Sequence, residues 1–475
     1  MISYSDFIRD KSQIDRNVGF EPNYLPDFLF GFQKALCEWA IRKGRAAIFA
    51  DCGLGKTLMQ LVWAQNVHKQ TGKPVLILTP LAVVQQTVRE GEKFGIEVAY
   101  RKGGIKPGDG IVATNYERLH NFNPDDFQGV ICDESSILKH YTGATQKQVT
   151  RFMAKIPYRH LCTATAAPND YVELGTSSEA LGELSNSEML TRFFRYRDDK
   201  GQKQDAKLQV EAEKVQSYYQ KLAFRVAQTI GQWRLKNHAV NDFWRWVASW
   251  ARACRMPADL GFDNGNFVLP QLIEREHIIN AITPPDGFLF CMPAFGLAEE
   301  RDERKRTIRE RCEFAARLVD HDRPAVIWCH TNPEGDLLEK LINGARQIAG
   351  KTPDDEKEEI YGAFASGELK KLVIKPVIGA WGLNWQHCAH VVTFASHSYE
   401  QYYQSVRRCW RFGQKQPVVV DTIATEGEVR VMENMKRKAI QAAQMFEVLV
   451  RNMHQAVTVQ NTNQYTKKEE VPSWL

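Results

Sequence analysis

The sequence predicts an α/β protein, with two tandem parallel-sheet lobes and a mainly helical insert between them. Three observations carry this. Short apolar runs recur without polar alternation, as expected of strands covered on both faces. Each run is followed by a turn and a helix-period segment, the pattern of doubly wound sheets. The runs also fall into two separated sets. The first is AAIFA (46–50), VLILT (75–79), GIVAT (110–114), GVICD (129–133) and HLCTA (160–164). The second is AVIWCH (325–330), KLVIKPV (371–377), HVVTFA (390–395) and PVVVDTI (417–423). The expected organisation of the 475 residues is an N-terminal extension (1–25), lobe one (26–174), an insert (175–322), lobe two (323–451) and a polar tail (452–475).

Composition narrows the class. Apolar residues are 43% and charged residues 25% of the chain, values of a globular protein with sizeable cores. Collagen, disorder throughout and a disulfide scaffold are excluded. The formal charge of +5 permits nucleic-acid binding without demanding it. The ten cysteines form no CxxC pair, and several lie inside apolar runs, so reduced, buried thiols of an intracellular protein are expected. The opening MISYSDFIRDKSQ has no secretory-type apolar run, and no stretch approaches the ~18 apolar residues of a membrane span.

Taken in chain order, the first chemistry-bearing segment follows AAIFA directly. Asp51-Cys52-Gly53-Leu54-Gly55-Lys56-Thr57 leads into an apolar-periodic helix. Strand, glycine-bearing loop and Lys-Thr at a helix start form a phosphate-binding context. Gly53 and Gly55 let backbone N–H groups approach phosphate oxygens, and the helix N-terminus adds its positive dipole end. Lys56 is expected to reach the β- and γ-phosphates and Thr57 to ligate Mg²⁺. Ala50 stands where the general phosphate-loop pattern has its first glycine. GVICDESS then places Asp133 and Glu134 at the end of a buried strand, where adjacent carboxylates are costly unless they hold a metal or do acid–base work. Asp133 is expected to hold Mg²⁺, and Glu134 to orient and deprotonate the attacking water.

The middle of the chain reads differently. Arg192, Arg195 and Arg197 alternate with Phe193, Phe194 and Tyr196, which suits either a nucleic-acid grip or a packed surface turn. A helix from Asn241 carries Phe243, Trp246, Val247, Trp250 and Cys254 as a core stripe, with Arg245, Arg252 and Arg255 off it and able to meet phosphate. Residues 301–319 read as one long amphipathic helix with a solvated charged face. His387, Cys388 and His390 lead into a buried strand and are expected to pack there rather than bind metal. Arg408 and Arg411, three residues apart, are expected on one helical face.

Several ordered segments resemble a superfamily-two helicase motor of the Swi/Snf-like branch, over about 26–173 and 322–450. FLFGFQKALCEWA resembles its opening motif, which implies that Gln33 reads the adenine edge. DCGLGKT is similar to the Swi/Snf form of the phosphate loop, and DESSILK stands where the family has Asp-Glu-x-His-x-x-Lys. Thr163-Ala164-Thr165-Ala166-Ala167-Pro168-Asn169 resembles the TGTPxxN coupling motif. WGLNWQHCAHVV, with Gly382, Leu383 and Asn384, resembles the GLNL motif, and Gln404 to Gln414 matches QxxxRxxRxGQ. The resemblance implies RecA-like lobes, ATP and Mg²⁺ as cofactors, and a monomeric motor on nucleic acid, double-stranded DNA above all, in the cytoplasm of a bacterial or phage-infected cell. It implies that Arg408 and Arg411 act across the cleft, that Gln404 joins it, and that Thr163 and Thr165 report nucleotide state to the nucleic-acid face. A strand-separating DNA or RNA helicase and a nucleotide-gated scaffold are the alternatives. Ser136 in place of the family's His, and alanines at 164, 166 and 167, depart from the pattern.

Overall fold

The structure, a computed structural model, describes residues 17–139, 143–167, 171–196, 233–280, 297–379 and 384–461. The strands of its first part are β1 (Arg45–Ala50), β2 (Val75–Thr79), β3 (Ala99–Tyr100), β4 (Ile111–Asn115), β5 (Gly129–Asp133), β6 (Tyr158–Thr163), β7 (Phe194–Tyr196), β8 (Trp233–Leu235) and β9 (Ala251–Cys254). Those of the second are β10 (Leu272–Ile279), β11 (Ala325–Trp328), β12 (Ala345–Ile348), β13 (Lys371–Ile374), β14 (His390–Phe394) and β15 (Val418–Thr425). They form two parallel sheets, ordered β3-β4-β2-β5-β6-β1-β9 and β10-β15-β14-β11-β13-β12, and a two-stranded antiparallel sheet of β7 and β8. All nine apolar runs of the sequence are strands in these sheets. Their continuous burial follows from helices on both faces.

The described residues of the insert expected at 175–322 do not stand apart from the two sheets. Its segment β9 pairs with β1 and completes the first sheet, while β10 pairs with β15 along its whole length and edges the second. Cys254 therefore lies on a strand; the expected helix stops at Trp250, where the extended backbone of Ala251 ends it. The rest of the stripe is core: Phe243, Trp246, Val247 and Trp250 are fully buried, and the Trp250 ring meets Phe49 of β1 edge-on. The long helix expected at 301–319 is two, Leu297–Arg306 and Ile308–Leu318, and its charged face is not wholly solvated. Arg311 is fully buried against Glu334 at 2.9 Å, and Arg304 pairs with Glu428.

The tail expected from 452 starts inside a helix, Val429–Asn461. This helix runs back onto lobe one, where Met445, Phe446 and Leu449 join the core that holds Phe49, Trp246 and Trp250. The chain thus crosses between lobes twice, once between β9 and β10 and once along this helix. Among the described residues the nine cysteines are buried and free, as their apolar settings predict, and no helix is long and apolar enough to cross a membrane.

Candidate active site

Three neighbouring strands, β5, β6 and β1, deliver the site residues to one rim of the first sheet. The register sets Asp133 opposite Cys162 and Thr163 opposite Phe49, so the ends of these strands bring Asp133-Glu134, Thr163 and Asp51 together. Ligands of open α/β sheets bind beyond this end of the strands.

The loop after β1 turns on two glycines. Gly53 has φ 89° and Gly55, which caps the Lys56–Thr71 helix, has φ 78°. A Cβ on Gly55 would stand 2.4 Å from Gln33 Nε2, and one on Gly53 would stand 2.9 Å from the backbone nitrogen of Phe412 in lobe two. Gln33 is buried and braces the loop: Nε2 donates to the Leu54 carbonyl at 2.9 Å, and Oε1 accepts from the Phe30 N–H at 3.0 Å. Both of its polar ends are thus engaged with backbone beside the loop. Lys56 Nζ donates to the carbonyls of Ala50 (2.9 Å) and Asp51 (3.3 Å). Thr57 follows it at the start of the helix, half-buried.

Asp133 is fixed on both oxygens, accepting from Gln60 Nε2 at 2.6 Å and from Thr79 Oγ1 at 3.0 Å. Glu134 next to it has φ 50°, alone among the described non-glycine residues in the left-handed region. Such backbone costs on the order of 1–3 kcal/mol and clusters at functional sites. Burial raises the Glu134 carboxyl to about 7; Lys56 opposes this, Asp133 adds to it, Arg408 opposes it and Glu400 adds to it. A carboxyl held near neutrality between two cations from different lobes is suited to accept a proton. Thr163 Oγ1 donates to Glu134 Oε2 at 3.3 Å and accepts from the Thr165 N–H at 3.1 Å, which links the segment after β6 to this carboxylate.

Lobe two closes the cleft. Arg408 is buried, and Nε and Nη2 donate to the Gln404 carbonyl and Oε1 at 3.1 and 2.8 Å. Gln404 is fully buried, and its Nε2 has no hydrogen-bond partner among the described residues. Arg411 is lowered to about 10, first by burial and then by Arg408. The two arginines do not share a helical face: the Tyr399–Val406 helix ends before them, and they leave from the turns that follow. The left-handed glycines, the helix-borne lysine and the unpartnered Gln404 amide together fit a bound nucleotide. Asp133 and Thr57 supply oxygen donors suited to magnesium.

Sequence reasoning missed Arg407 and Tyr403. Arg407 Nη2 donates to Asp51 Oδ2, and the Tyr403 hydroxyl donates to Asp51 Oδ1. Arg407 reads locally as one more base in a basic turn, and its partner lies 356 residues away. The remaining candidates lie elsewhere. Arg195 is exposed on the antiparallel β7-β8 pair, directly opposite Arg234, with Tyr196 edge-on to Trp233. Asn384 is exposed; Arg197 and Gly382 lie outside the described residues. Arg252 is not free to meet phosphate, because it is buried, donates to the Ala248 and Ala251 carbonyls and lies over the Trp39 ring. His390 is buried and bonds Asp421 and His321.

Residues 310–413 match the family described as the helicase conserved C-terminal domain. The mouse protein named DNA annealing helicase and endonuclease ZRANB3 is 31% identical over 182 residues, which cover 34% of this chain and 17% of that protein. Similar solved structures include the Sulfolobus solfataricus SWI2/SNF2 ATPase core in complex with dsDNA (15% identity, 91% of this chain, 98% of that one, TM-score 0.40). Another is the Mycobacterium smegmatis helicase Lhr bound to ssDNA and AMP-PNP (15% identity, 87% and 48%, TM-score 0.45). The chain thus carries a segment similar to the helicase conserved C-terminal domain, and its match spans about a sixth (17%) of the mouse relative's length.

Proposed function

We propose that the chain is a nucleic-acid-dependent ATPase, a translocase that tracks along double-stranded DNA by coupling hydrolysis to lobe closure and stepping. The observation that carries this reading is the setting of Glu134. It is a buried carboxyl at a sheet rim, raised to about 7, with Lys56 of lobe one and Arg408 of lobe two both acting on it. Catalytic competence then requires both lobes, which is what a motor driven by closure needs.

The residues divide the work. Gly53, Gly55 and the start of the Lys56–Thr71 helix receive the phosphates, and Lys56 neutralises them. Asp133 and Thr57 are the residues that would hold magnesium, which when bound would offset charge on the transferring phosphoryl group. Glu134 takes the proton of the attacking water, and Asp133 stays fixed by Gln60 and Thr79. Arg408 and Arg411 reach the cleft from lobe two, a contribution worth ~10³–10⁵ in rate where arginines act this way. Thr163 and Thr165 pass the state of Glu134 to the coupling segment. Arg195 and Arg234, exposed opposite each other on paired strands with aromatic neighbours, offer phosphate contacts. The mouse relative is named a DNA annealing helicase, which favours DNA as the track.

ATPase titration with defined duplex DNA, single-stranded DNA and RNA, followed by triplex-strand displacement, tests the proposal. Duplex stimulation with triplex displacement and no unwinding supports it. Stimulation by single strands with unwinding replaces it by the strand-separating reading, and ATP binding without turnover replaces it by the scaffold.

A further inference from the structure

The Tyr399–Val406 helix and the αR residue that follows it set Glu400, Tyr403 and Arg407 three and four residues apart, on one face. That face meets lobe one at two places. Glu400 accepts from Lys139 Nζ through one oxygen and from Thr165 Oγ1 at 3.3 Å through the other. Two turns on, Arg407 and Tyr403 both donate to the carboxylate of Asp51, and Arg407 donates also to the Cys52 carbonyl at 3.3 Å. Glu400, Arg407 and Asp51 are all buried.

We propose that this helix face is an electrostatic clasp that sets the register of lobe closure. One prong lies on the phosphate loop and the other on the segments that carry Lys139 and Thr165. Acid meets base at one prong and base meets acid at the other. A two-turn slide of the helix in one direction would bring Glu400 to Asp51, and in the other direction Arg407 to Lys139, so either wrong register sets like charges together. Burying ion pairs returns little net free energy, because desolvation nearly cancels the attraction. The clasp therefore aligns the lobes without holding them shut, as a cycle of closing and reopening requires. It engages Asp51 and Thr165, neighbours of the phosphate site and of Thr163, so that both ends of the cleft close together. Glu400, Tyr403, Arg407 and Lys139 act here as positioning residues. The clasp's effect on turnover rests on the ATPase reading above; the pairing itself does not.

The test uses the full chain and four proteins: wild type, K139E, E400K and the K139E/E400K swap. Each single reversal is expected to lower nucleic-acid-stimulated kcat by about tenfold or more, with KM for ATP changed by less than about threefold, and the swap to restore kcat to within about threefold of wild type. Small-angle X-ray scattering should show both single variants expanded and the swap compact again. A swap as slow and as expanded as the worse single variant, or single variants that behave as wild type, overturns the clasp. If a reversal does not fold, the K139Q, E400Q and K139Q/E400Q cycle reads the same coupling: a double variant no worse than either single supports the clasp, and additive losses overturn it. If the wild type splits no ATP on any nucleic acid, the ATPase reading fails and scattering alone decides the clasp, by the same pattern of expansion and recovery.

Discussion

Glu134 concentrates the chemistry of the molecule at the scale of one residue. Burial, left-handed backbone and two opposing cations act on it together. A general base works when ionised, and burial has raised this carboxyl, so kcat/KM for ATP should fall below about pH 7 with unit slope and level off above it; a profile flat to pH 5 would contradict the assignment. Glu134→Gln should remove turnover while ATP binding persists, as read by nucleotide titration of the variant. Arg408→Ala should lower kcat by ~10³ or more, because its charge reaches Glu134 and the cleft from the other lobe; normal hydrolysis by this variant would exclude a closing-cleft mechanism. Motif spacing singled out Lys56, Thr57, Asp133 and Glu134, which lie at or after strand ends of the first sheet, and Arg408, which leaves a turn after the Tyr399–Val406 helix. Spacing could not show what lies opposite them. Gln33 turned out to brace Leu54 and Phe30, and Arg407 to pair with Asp51, through contacts that join distant parts of the chain.

At the scale of elements, continuous apolar runs were readable because two-sided burial leaves no polar position. The strands without such runs were not. In β9, ARAC continues the apolar stripe of the preceding helix and reads as its last turn. In β10, LIEREHII is an edge strand with exposed Glu274, Arg275 and Glu276, so its polarity hides it. Both fell inside a region read as helical. Charge density misled in the same way at Arg311, where a base inside a charged run is buried against an acid on the next helix. The Val240–Trp250 helix was read correctly as core, and its energetic weight can be measured. Trp246 is fully buried, with Trp250 5.5 Å and Phe193 5.4 Å away between ring centroids. Trp246→Ala should cost about 3–5 kcal/mol of stability, visible as a lower urea midpoint. A loss under about 1 kcal/mol would place this helix outside the cooperative core.

At the scale of the molecule, the two lobes are tied by backbone and by charge. The chain passes from β9 in one sheet to β10 in the other, and the Val429–Asn461 helix returns to pack on lobe one. These links keep the lobes adjacent, while the Glu400–Arg407 face meets Asp51 and Lys139 across the cleft. The most direct test of this account is the steady-state rate of phosphate release from ATP by the purified chain, with and without duplex DNA, beside Lys56→Ala. The account predicts turnover that rises on adding duplex and vanishes in the variant. An ATP-independent protein, or one whose hydrolysis is indifferent to every nucleic acid and survives loss of Lys56, would contradict it.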